Sequence, residues 1–176
     1  MTFRLGFVTG ATPDKWAGTW RDRQREPIEV VPVTEDVQEQ GVRSGELDVA
    51  LVRLPVDREG LHLIPLYDEL PVAVMNVDNE LTLLDEVTTE DLAGEHQDWT
   101  GLTLRESVET VAAGTGVLVV PMSLARLHHR KDVTHRTVTD LPSTQVGLTW
   151  LVGNDDPRVQ TFIGIVRGRS ERSSRG

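Results

Sequence analysis

Three apolar runs, Arg4 to Thr9, Ile28 to Val33 and Leu47 to Val52, are separated by segments that open with helix-starting chemistry. Thr12-Pro13-Asp14 supplies a capping hydroxyl, a first-turn proline and a carboxylate that suits the helix dipole. Thr34 with Glu35 and Asp36 does the same for a second helix, which Gly45 ends. A strand–helix–strand–helix–strand order restricts the chain to an α/β fold built on parallel strands. The third run sits in GELDVALVRLP and stops on Arg53 before a proline loop. An arginine there is either a folding detail or a ligand contact.

The remaining pattern is mixed. Leu61 to Leu66 and Pro71 to Met75 read as strands, and Thr89 to Leu92 as a short helix. Thr103-Leu104-Arg105-Glu106 has the capping-box spacing, which predicts a helix running to Gly114. Val117 to Val120 is a strand, Met122 to His129 a short helix, and Val133 to Val138 and Gln145 to Val152 further strands. Asp156-Pro157 opens a last helix that fades near Arg167.

A chain of 176 residues suits one domain or two small lobes. It has no Cys, which excludes disulfides and thiolate metal sites and fits a cytoplasmic location. No apolar stretch approaches the roughly 18 residues of a membrane helix, so no membrane role is expected. The formal charge is −10, yet the last ten residues hold four arginines against one glutamate, leaving −13 for the rest. An acidic body repels phosphates, so nucleic acid is expected to bind only through the basic tail, if at all.

Catalytic and metal signatures are missing. His128, His129 and His135 in HHRKDVTH lack chelating spacing, so that segment reads as a basic patch with Arg126, Arg130 and Lys131. VTGAT lacks the ending of a phosphate loop, GTG at Gly114 to Gly116 closes a helix instead of opening one, and no nucleophile elbow occurs. No enzyme activity, metal or cofactor is expected.

The pieces RLGFVTG, GELDVALVRLP, LHLIPLYDELPVAV, VETVAAGTGVLVVP and QVGLTWLV, in that order and spacing, give the chain a family likeness from about Arg4 to Ile165. It resembles the effector-binding (substrate-binding) domain of LysR-type transcription regulators. The resemblance implies a two-lobed α/β fold of the type 2 periplasmic-binding-protein kind. Lobe I would comprise residues 3–69 and 145–167, lobe II residues 71–143, with a disordered basic tail over 168–176. Two departures stand out: no winged helix-turn-helix precedes the first strand, and the stretch from Asp91 to Val108 is short. These imply a free-standing domain with a shortened second lobe, of an actinobacterial type.

In open α/β sheets, ligands sit beyond the carboxyl ends of strands. Those ends here are Thr9, Gly10, Ala11 and Thr12, then Thr34, then Arg53. Two helix N-termini and one guanidinium suit a small carboxylate or phosphate. The resemblance implies effector contacts at Thr9, Thr12, Thr34 and Arg53, with Gly116, Pro121 and Met122 lining the opposite side of an inter-lobe cleft. The bland alternatives stay open: Thr12 and Thr34 as helix caps, and Arg53 as the partner of Asp57 or Asp48. Trp16 and Trp20 share a helix face, as core or as surface. The resemblance makes them candidates for a dimer interface.

Two functions compete. One is a sensor that binds a small anionic metabolite and acts through a homodimer or a LysR-type regulator. The other is an interaction module without a ligand, using the acidic body and basic tail for protein or nucleic acid. The discriminating feature is whether Arg53 is free of internal partners.

Overall fold

The computed structural model describes residues 1–168. The basic-tail expectation over 168–176 therefore lies, except for Gly168, outside the described residues. The described residues divide into two compact units, 1–67 with 145–168, and 68–144.

Unit 1 carries a five-stranded sheet. Its strands are β1 (Phe3–Val8), β2 (Ile28–Val33), β3 (Val49–Arg53), β4 (Leu61–Glu69) and β8 (Thr144–Leu151), ordered β2-β1-β3-β8-β4. β1 runs parallel to both β2 and β3, in register Phe3 with Ile28 and Leu5 with Val49. β8 is antiparallel to β3, pairing Arg53 with Val146. The sheet is thus mixed, with the parallel part confined to the N-terminal strands.

Every residue of β3 is buried because both faces are covered. Val49 and Leu51 join the core shared with α1 (Asp14–Arg23) and α6 (Pro157–Val166), while Ala50 and Val52 join Val42, Leu47 and Leu61. The first core is aromatic: Trp20 stacks on Phe3 at 4.5 Å and Phe162 lies 5.5 Å from Phe3. On the second face Leu47 rests against two glycines. A Cβ on Gly6 would come 2.5 Å from Leu47 Cδ1, and one on Gly41, in α2 (Gln40–Ser44), would also collide with Leu47.

Two helix starts differ from the sequence pattern. α1 begins at Asp14 with Pro13 at the cap position and no side-chain cap bond, so Thr12 does not cap it. The helix expected after Thr34 is broken into a 3-10 turn, Glu35–Val37, and α2; Thr34 caps neither by its side chain. Gly45 does end α2 in the left-handed region, at φ +86°.

Unit 2 is built on a three-stranded antiparallel sheet, β6 (Leu118–Pro121), β5 (Pro71–Asn76) and β7 (Val133–Thr137), ordered β6-β5-β7. Alternation along β5 sends Val72 and Val74 to one core with Val108 and Ala125, and Ala73 and Met75 to another with Val87 and Leu92. α3 (Thr89–Leu92), α4 (Leu104–Ala112) and α5 (Met122–Leu127) complete it. The capping box of α4 forms as its sequence predicts, between Thr103 and Glu106.

Candidate functional site

The strand ends of unit 1 converge on Arg53. Its side chain is 4% exposed. One guanidinium nitrogen, Nη2, donates to the Thr9 carbonyl at 3.2 Å, and Nη1 approaches Glu35 Oε1 at 3.4 Å. Its backbone is held by Gln38, which is itself buried: Nε2 donates to the Arg53 carbonyl and the Arg53 N–H donates to Oε1, each at 2.8 Å. Asp57 and Asp48, the partners weighed from sequence, are engaged elsewhere, with Arg43 and Arg4. Arg53 is therefore not free of internal partners. The carboxylate in contact, Glu35, is itself 60% exposed.

The first loop is tighter than an open anion cradle. The Thr9 N–H and hydroxyl both donate to the Val33 carbonyl, at 3.1 and 3.2 Å. Gly10 takes φ +96°, which lets the Ala11 N–H turn back onto the Val8 carbonyl at 3.0 Å. Ala11 lies in the core, so its side chain and its N–H are both spent on folding. Thr12 is exposed. Thr34 precedes a 3-10 turn, which is too short to present a helix terminus to an anion. The geometry thus brings together Thr9, Gly10, Glu35, Gln38 and Arg53.

Sequence reasoning missed Glu35 and Gln38. Glu35 was read as a first-turn dipole residue, and nothing local marks Gln38 as buried. It also missed Glu69 in unit 2, a buried carboxylate that accepts a hydrogen bond from the Ser123 hydroxyl.

The other candidates fall in unit 2. Gly116 has φ +69°, and a Cβ there would run into the His96 carbonyl, so its smallness serves close packing. Pro121 ends β6 and precedes α5. Met122 packs against the unit 2 core and donates its N–H to the Leu70 carbonyl at 2.9 Å. Trp20 is fully buried and donates its indole N–H to the Glu26 carbonyl, which removes it from any dimer surface. Trp16 is half-buried against the same core. Among the described residues no group of three His, Cys, Asp or Glu could hold a metal, and no helix is long and apolar enough to cross a membrane.

Residues 16–97, just under half of the chain, match the model of the LysR substrate binding domain. Over that stretch the chain is similar to LysR-type effector-binding domains. Its fold is that of LysR-type regulators solved experimentally. The BenM effector binding domain with its effector benzoate aligns with a TM-score of 0.81 at 15% identity, covering 95% of this chain and 90% of that one. The OxyR regulatory domain C199D mutant from Pseudomonas aeruginosa aligns with a TM-score of 0.77 at 21% identity, covering 97% and 98%. Among curated LysR-type relatives, the Hca operon transcriptional activator HcaR of Escherichia coli is 26% identical over 94% of this chain. The regulator AlsR of Bacillus subtilis is 23% identical over 96%. The chain spans 67% of the length of each of these two.

Proposed function

We propose that this LysR-type domain binds a small anionic effector, a carboxylate or phosphate, at the strand ends of unit 1, with Arg53 as the charged contact. The observation that carries the reading is the buried Arg53 guanidinium facing an exposed carboxylate of its own chain, Glu35. An effector carboxylate can take the place of Glu35 without changing the charge around the guanidinium, and Glu35 loses little by moving into water. Thr9, whose carbonyl accepts from Arg53, and Gly10 beside it adjoin this exchange; Thr12 and Thr34 follow at the ends of the neighbouring strands as further candidate contacts. The BenM domain, whose effector is benzoate, gives the class of ligand a precedent within the fold. The bound state would be relayed through a homodimer or a LysR-type regulator, in the cytoplasm and without catalysis.

The test is thermal unfolding against a panel of small carboxylates and phosphates, beside Arg53→Ala. A ligand at 100 times its Kd stabilises by about 2.7 kcal/mol. For a chain of this size that is a rise of roughly 5–11 °C in Tm. A rise in the parent that the variant loses supports the site. The internal pairing of Arg53 favours a second reading, an interaction module with no effector. No rise with any ligand, together with an Arg53→Ala protein that is merely less stable, would favour that one.

A further inference from the structure

The charges of unit 2 are segregated. Between Asp68 and Thr144 fourteen carboxylates stand against five Lys and Arg side chains, a net of −9. Ten of the carboxylates come before Arg105, in a stretch from Asp68 to Leu104 with no Lys or Arg at all. Four of the five cations, Arg105, Arg126, Arg130 and Lys131, lie on α4 or on the run from the end of α5 into β7. The fifth, Arg136, is committed to the fold, donating to the Leu84 and Thr82 carbonyls.

The two cationic segments meet in a groove of about 320 Å³. Arg105, Val108 and Glu109 of α4 form one wall, and His128, His129 and Arg130 the other. Each arginine holds one local carboxylate: Arg105 meets Glu109 at 3.3 Å, and Arg130 meets Asp132 at 2.9 and 3.1 Å. Exposed pairs of this kind exchange partners at small cost. The excess positive charge is felt inside the unit. His135, on the neighbouring strand, is held below the usual histidine range by burial first and then by Arg126, Arg136 and His129.

The shape of the site chooses the occupant. The two lining arginines, Arg105 and Arg130, stand on opposite walls of a surface groove, each already holding a carboxylate, which does not suit a compact ion. Leu127, which precedes His128 in sequence, is 57% exposed, a large apolar side chain left in solvent beside the lining segment. A chain that is otherwise strongly acidic repels polyanions at long range, so a ligand held here must bring short-range contacts as well as charge. We infer that this groove docks an acidic segment of a partner protein, with carboxylates set against Arg105 and Arg130 and an apolar side chain on Leu127. The inference is independent of the effector site.

The probe is a short fluorescein-labelled peptide of glutamate and serine with a central leucine, followed by anisotropy at low and moderate salt. Binding should weaken with salt. It should fall about tenfold in Arg130→Glu, and again in His129→Glu, while Arg21→Glu, an equal charge change on α1, and Arg53→Ala leave it unchanged. Melting curves of each variant confirm that it is folded. The proposal is overturned by four results: no binding at low salt, equal weakening by Arg21→Glu, inorganic triphosphate or a DNA duplex binding as tightly as the peptide, or self-association of the parent that Arg130→Glu abolishes.

Discussion

Gln38 completes the backbone of Arg53: its amide donates to the Arg53 carbonyl and accepts from the Arg53 N–H, both at 2.8 Å. One side chain thus does what a neighbouring strand would do, at the end of β3. Replacing it with alanine leaves two buried backbone groups without these partners, at a cost of about 1–3 kcal/mol each. Gln38→Ala should lower the urea midpoint accordingly, and Gln38→Glu should recover part of the loss through the retained acceptor. Amide exchange at Arg53 is the local readout.

Arg53→Ala should cost about 1–3 kcal/mol or more: Glu35 is well exposed and stays hydrated, but the Thr9 carbonyl also loses a donor. The effector-induced rise in Tm should vanish in the same protein. Glu35→Gln should do the reverse, removing the competing carboxylate and tightening binding of any responsive anion. An unchanged Kd in Glu35→Gln would remove Glu35 from the site.

Trp16 and Trp20 share a helix face but not a fate. Trp20→Ala empties the centre of the aromatic core and should cost about 3–5 kcal/mol, or roughly 6–20 °C in Tm. Trp16, half-buried at the margin, should cost less than half as much. Parallel thermal melts decide this.

Gly116→Ala should destabilise unit 2 by about 1–3 kcal/mol. It forces a side chain into the left-handed region and into the His96 carbonyl. Gly114→Ala meets open space at a φ of +102° and carries the conformational cost alone. A melt showing Gly116→Ala as the milder of the two would contradict the packing role.

Stability should fall in two steps as the pH is lowered. The folded state holds His135 below 6.5, so the unfolded chain takes up its proton first, and stability falls as pH drops below about 6.5. Asp156 is held below 3.8, chiefly by its hydrogen bond from Arg158, so a second loss begins as pH falls through about 4. Replacing His135 with Gln should flatten the first stage and Asp156→Asn part of the second, as read from urea midpoints across pH.

The central strand was legible because a strand buried on both faces shows as a continuous apolar run, although it spans Val49–Arg53 and takes in the arginine, where the sequence pattern gave Leu47 to Val52. Capping boxes at Thr103 and the proline start at Asp156 were legible for the same local reason. Thr34 was not. Its helix is split into a 3-10 turn and α2, and between them the Gln38 side chain is tied to Arg53, fifteen residues away, a contact no window of sequence contains. The site suffered likewise: Arg53 stood out at a strand end, while Glu35 and Gln38 acquire their meaning only from the fold. Trp20 shows the limit of periodicity, which says that two residues share a face but not how deep that face goes.

The seat of Leu47 on Gly6 and Gly41 ties three distant positions to one volume. A methyl group gained at either glycine must displace the Leu47 side chain, more so at Gly41, where Cγ also lies close, and a smaller residue at 47 leaves a void unless a glycine has grown. Substitutions at these sites are therefore conditional on one another. Among homologues sharing this packing they should drift as a set, with single-step exchanges selected against even where each residue is acceptable in another member.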